Sequence, residues 1–222
     1  MGQKSTSNIN NSIKNEGDIV IGIDFGSSGI GFAYGFFGKE KEQITTGYFD
    51  RQSNNIKIPT EIILDDDLKL LAFGDDCISY LSSHKNNIHH FKNIKMNLYH
   101  KQYIIKASNT DKEVNIEYII QLILKQIKQK AIEQIRNTKY HLEEKNIHWV
   151  ITVPSLWDNK SKQIMIIATH EAGLTRDDDD LFNFFVLEPE AASLYYYYSL
   201  NSNNNIYNFE DPFIACVLEQ EQ

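Results

Sequence analysis

Ile19-Val20-Ile21-Gly22-Ile23-Asp24-Phe25-Gly26-Ser27-Ser28-Gly29-Ile30-Gly31-Phe32-Ala33-Tyr34 is the stretch whose reading decides the fold. A β-branched strand ends in a carboxylate at Asp24, turns through Gly-Ser-Ser-Gly and re-enters a second apolar strand. Glycine and serine let a tight turn bring successive backbone N–H groups together, and such a nest binds phosphate oxygens. The Ser27 and Ser28 hydroxyls add donors, and Asp24 can hold a hydrated Mg²⁺ beside the phosphates. No G-K-[ST] follows and the next segment reads as a strand, so this is not a P-loop. The same four residues also make an ordinary hairpin turn, and the stretch alone does not choose between the two.

The 222 residues suffice for one large domain or two small ones with a proper core. A net charge of −8 and the lack of clustered Lys/Arg argue against nucleic-acid binding. Cys77 and Cys216 form no C-x-x-C, so neither a disulfide framework nor a zinc site is indicated. No apolar run reaches the ~18–20 residues of a membrane span, and the polar N-terminus does not read as a secretory signal. A reducing, cytoplasmic location is the expectation. Met1-Gly2-Gln3-Lys4-Ser5-Thr6 fits the M-G-x-x-x-[ST] pattern of N-myristoylation at Gly2. A single acyl chain would give only weak membrane attachment.

Residues 1–17 are Asn/Ser/Lys-rich without periodicity and read as a disordered leader. Strands are expected over 18–24, 30–36 and 43–49, then over Thr60–Leu64 and Leu68–Phe73 as a hairpin about Asp65-Asp66-Asp67. Residues 75–107 read as a short helix with polar loops, and 50–112 as an inserted subdomain. His89-His90 read as surface loop residues. Ile116, Ile119, Ile120, Ile123, Ile127, Ala131 and Ile135 recur at helical spacing behind a cap at Asn115. His148–Val153 is near-continuously apolar, as in a strand buried on both faces. Pro154 ends it, Asp158–Ala172 reads as a helix closed by Gly173, and Asp177–Asp180 as a solvated loop. Phe184–Leu187 reads as a short buried strand before a helix opening at Glu188-Pro189.

Three antiparallel strands, then helix, parallel strand, helix, strand, helix is the order of a ribonuclease-H-like α/β fold with a mixed five-stranded sheet. Ligands in such sheets sit at strand ends where the topology switches. This would place the turn after Asp24, Pro154 and Glu188 at one mouth.

Ile21–Ser28, Trp149-Val150-Ile151-Thr152-Val153-Pro154-Ser155-Leu156-Trp157 and Leu187-Glu188-Pro189-Glu190-Ala191-Ala192-Ser193 together resemble the heat shock protein 70 family. V-P-x-x-W and L-E-P-E-A-A-S resemble its member-12 branch more than the standard chaperones. The resemblance covers about residues 18–200 and implies the first lobe of an actin-like ATPase domain that binds ATP/ADP with Mg²⁺. It implies Asp24 beside the metal, with Gly26, Ser27, Ser28 and Gly29 as the phosphate-cradling turn. Lys95, in Asn93-Ile94-Lys95-Met96, is similar to the lysine that stabilises the γ-phosphate, with a plain surface lysine as the other reading. Glu188 is similar to the carboxylate that orients metal-bound water, although any acid there also complements a helix N-terminus. Pro154 and Lys162 resemble a conformational relay in which Lys162 stands in for an arginine, and the two are not equivalent at a bidentate site.

The family's second phosphate turn, rich in Asp and Gly, is not found after Pro212-Phe213-Ile214-Ala215-Cys216-Val217-Leu218. Residues 201–222 therefore read as a truncated tail, from an incomplete gene model or a natural half-domain. Half a clamp should catalyse poorly, so little or no ATPase turnover is expected. The other readings are a non-catalytic module docking on a chaperone or co-chaperone, and a fragment of a sugar or acetate kinase. Tyr195, Tyr196, Tyr197 and Tyr198 in succession cannot all face one core, so self-association is also expected.

Overall fold

The computed structural model describes residues 18–36, 44–49, 55–84, 86–138, 143–175 and 185–202, with side chains of the last helix through residue 196. The Gly2 motif, the leader, Asp177–Asp180 and Phe213–Leu218 lie outside the described residues.

The quoted stretch folds as expected. Strand β1 (Ile19–Phe25) and strand β2 (Ile30–Phe36) form an antiparallel hairpin registered from Ile19↔Phe36 to Phe25↔Ile30. Strands β3 (Thr45–Thr46) and β4 (Lys57–Ile58) both pair antiparallel with β2. β3 takes in two residues of the expected 43–49; at Gly47, whose amide still donates to the Phe32 carbonyl at 2.8 Å, the Phe32 ring fills the space a Cβ would need. That ring meets Phe49 edge-on at 5.6 Å.

A second sheet follows in the order β6-β5-β7, from β5 (Ile62–Leu64), β6 (Leu70–Phe73) and, after helix α1 (Asp76–Ser83), β7 (His89–Phe91). The Asp65-Asp66-Asp67 turn is present, with Asp65 Oδ1 accepting from the Lys69 amide at 2.8 Å. The expectation of polar loop around His89-His90 is corrected: both lie in β7 and both are buried. Adjacent strand residues face opposite ways, and each ring is satisfied on its own side. His89 bonds Asp66 at 2.9 Å and Thr110 at 2.7 Å. His90 bonds Glu61 at 2.7 Å and Ser108 at 3.0 Å. A buried polar ring is tolerated when both nitrogens have partners, and these bonds pin residues 108–110 to the sheet.

Helix α2 (Ile94–Tyr99) and the hairpin of β8 (Ile104–Lys106) with β9 (Glu113–Asn115) lead into helix α3 (Ile116–Arg136). The Asn115 side chain caps α3 by accepting from the Glu117 amide at 3.0 Å, and all seven spaced apolar residues are buried. Strand β10 (Ile147–Val153) runs parallel to β1. It alternates instead of being buried on both faces: Ile147, Trp149, Ile151 and Val153 are buried, and His148, Val150 and Thr152 half-buried. Helix α4 (Asn159–Glu171) is capped by Asp158 and ends at Gly173, whose φ of 71° is left-handed. Strand β11 (Phe185–Leu187), half-buried, runs parallel to β10, and helix α5 (Glu188–Ser202) follows it directly.

The main sheet therefore runs β11-β10-β1-β2-β3, with β4 beside β2 as a sixth strand beyond the expected five. One row of β1 and β10 shares a single core with α3, α4 and residues Ile62, Leu64, Phe91, Ile94 and Leu98. The smaller sheet thus shares the core of the larger. Among the described residues no helix is long and apolar enough to cross a membrane.

Candidate nucleotide-phosphate site

Three parallel strands end together. Asp24 pairs with Thr152, Thr152 with Val186 and Val153 with Leu187, so Asp24, Pro154 and Glu188 reach the same edge of the sheet. Asp24 lies on the half-buried row of β1, opposite the residues that face the core.

The turn after Asp24 is closed by the Gly26 amide, which donates to the Gly29 carbonyl at 3.1 Å. A Cβ on Gly26 would overlap that carbonyl oxygen, so glycine is required there by close approach, without a positive φ. Thr60, buried just beyond Pro59, donates to the Gly26 carbonyl at 3.0 Å and fixes the turn from outside. Gly29 packs against β4, where a Cβ would come within 3.1 Å of the Ile58 carbonyl oxygen. Gly26 and Gly29 therefore shape the turn, while Ser27 and Ser28 stand exposed at its tip.

The Ser27 hydroxyl approaches Met96 Sδ at 3.7 Å, which brings α2 beside the turn. The neighbouring Lys95 donates through Nζ to Glu188 Oε1 at 2.5 Å, across 93 residues of sequence. Its side chain is 12% exposed and that of Glu188 23%, so the pair is largely withdrawn from water. The two residues named as catalytic by resemblance thus meet. Pro154 is buried at the end of β10. Lys162 lies in the first turns of α4, where its amide donates to the Asp158 carbonyl; among the described residues no hydrogen bond or ion pair joins its side chain to Pro154 or Glu188.

Lys57 also belongs to the site, and sequence reasoning passed over it. Its Nζ lies 2.5 Å from Asp24 Oδ2. The available signal was Lys57-Ile58 ahead of Pro59, a polar–apolar alternation that reads as a short strand.

A Mg²⁺ ion keeps several waters and takes one or two carboxylates with substrate phosphates. At this mouth Asp24 and Glu188 are each paired with an ammonium, that of Lys57 and that of Lys95 respectively.

No model of a protein family matches the chain. It is similar to human and mouse Heat shock 70 kDa protein 12A, each 30% identical over 196 residues, and to human Heat shock 70 kDa protein 12B, 25% identical over 190. The matches take in 80% of this chain and 28% of each relative, so the chain spans under a third of their length.

Proposed function

Because the chain belongs, over the four-fifths that match, to the heat shock protein 70 family in its member-12 branch, we propose that residues 18–202 are a phosphate-holding lobe of an ATP/ADP-binding, actin-like ATPase domain. The observation that carries this reading is the Lys95–Glu188 pair, held beside the Gly26–Gly29 turn at the ends of three parallel strands. An ammonium and a carboxylate withdrawn from water interact strongly. Here the ammonium is a charge that a triphosphate requires, and the carboxylate one that orients a water.

In this reading Ser27, Ser28 and Lys95 bind and orient phosphate oxygens, Glu188 orients a water near the terminal phosphate, and Asp24, matched by Lys57, borders the turn. Phosphoryl transfer needs donors on both flanks of the phosphates. The groups gathered here come from one mouth, so the activity proposed for this chain is binding, with slow hydrolysis.

Titration with a fluorescent ADP analogue tests the reading. Lys95→Met alone would strand the Glu188 carboxylate in a half-buried position, which destabilises the fold. The paired variant Lys95→Met/Glu188→Gln removes both charges and is expected to melt near the wild type. Its affinity should fall about tenfold, the contribution of a charge-assisted hydrogen bond. Affinity unchanged in the paired variant, or no saturable binding by the wild type, rejects the proposal. Docking on a partner protein is the second reading, favoured by Leu194, Tyr195 and Tyr196, all exposed on α5.

A further inference from the structure

The second lysine–carboxylate pair of the mouth is built by a gap in the sheet. Asp24 on β1 stands opposite Gly31 on β2, and Gly31 stands opposite Lys57 on β4. Residues in lateral register point to the same face, so the three form one row whose middle member has no side chain. The Lys57 stem crosses that vacancy: a Cβ on Gly31 would come within 3.1 Å of Lys57 Cγ and 2.9 Å of the Ile56 carbonyl oxygen. Its ammonium thereby reaches Asp24, with 55% of the lysine and 47% of the aspartate side chain exposed. An ion pair this exposed adds little to stability and costs side-chain entropy, so the fold alone gives no reason for it.

We propose that Lys57 is the resident cation of the phosphate site, neutralising Asp24 when the site is empty and bonding nucleotide phosphates when it is filled, so that ADP and ATP bind without a divalent metal. The inference rests on the nucleotide reading above. A carboxylate already matched by an ammonium at 2.5 Å offers a hydrated metal little net charge, and the ammonium repels a second cation from the same oxygen. The lysine is exposed and long enough to turn from carboxylate to phosphate. As a compact charge with three rotatable donors, it binds phosphate as well as carboxylate.

Wild type, Lys57→Met and Lys57→Arg, each checked for an unchanged melt, are titrated with the fluorescent ADP analogue in excess Mg²⁺ and again in EDTA. The wild type should bind with nearly the same affinity in both, and Lys57→Arg should follow it. Lys57→Met should lose about tenfold in EDTA and recover in Mg²⁺. A second arm uses Mn²⁺ alone, followed by electron paramagnetic resonance. Lys57→Met should acquire a Mn²⁺ site that the wild type lacks and that a further Asp24→Asn removes.

Wild-type affinity that collapses in EDTA, or a Lys57→Met profile identical to wild type, overturns the inference and leaves the nucleotide reading intact. Absence of ADP binding by the wild type under both conditions overturns both. The Mn²⁺ arm reads the Lys57–Asp24 relation without nucleotide, and Mn²⁺ binding that is the same with and without Lys57 also overturns the inference.

Discussion

Burial in the small cluster with Ile63, Ala72 and Ile88 pushes the Cys77 thiol from its ordinary 9.0 up to about 12, with the Glu61, Asp76 and Asp75 carboxylates adding to the shift. The folded state holds the neutral thiol, which also donates weakly to the Glu61 carbonyl at 3.6 Å. A raised folded pKa means that this contribution to stability is whole below about pH 9 and is lost as pH rises from there towards 12. In a Cys216→Ser background, Cys77 should resist Ellman's reagent at pH 8 in the native chain and react fully in urea; rapid reaction of the folded protein would contradict this placement. The groups hardest to read in the sequence share one trait, dependence on distant partners. His89 and His90 look like loop residues until Asp66, Glu61, Thr110 and Ser108 close around them. Lys57 looks like a surface lysine until Gly31 opens its path to Asp24.

Helix α3 is the element on which the core turns, and two substitutions probe it separately. Asn115→Ala removes the cap to the Glu117 amide and should lower stability by about 1 kcal/mol. Ile123→Ala deletes a side chain with no exposure in the shared core and should cost about 2–5 kcal/mol. Urea denaturation followed by circular dichroism measures both, and equal costs would mean that the helix is not anchored through its apolar face. Elements such as α3, α4 and the β1–β2 hairpin were legible because their signals are local: a 3.6-residue period, Asn115 and Asp158 as caps, Gly173 as the stop. β3 and β7 were not. The first pairs with β2 over two residues only, at Thr45 and Thr46. The second consists of two histidines and a phenylalanine, a composition with no alternation of polarity, and it becomes a strand through pairing with Ile62–Leu64.

For the whole molecule, the order β1-β2-β3, α3, β10, α4, β11, α5 was readable from sequence because short connections and parallel crossovers leave few topologies, whereas β4, β7, β8 and β9 were not. The site was readable only in part. Asp24 and the Gly-Ser-Ser-Gly turn announce themselves in one short run, whereas the meeting of Lys95 with Glu188 depends on packing α2 against strand ends 93 residues away. The two lysine–carboxylate pairs at this mouth have a kinetic consequence. Two ammoniums and two carboxylates sum to zero, and they sit on a chain of net charge −8. A polyanion diffusing in meets no positive funnel, only the weak repulsion of the distant surface. Stopped-flow mixing with the fluorescent ADP analogue should therefore give an association rate that stays level or rises as salt screens that repulsion; a rate falling steeply with ionic strength would reveal an attractive field that these four charges do not make. Capture in such a site begins at contact, when each lysine trades its carboxylate for a phosphate oxygen.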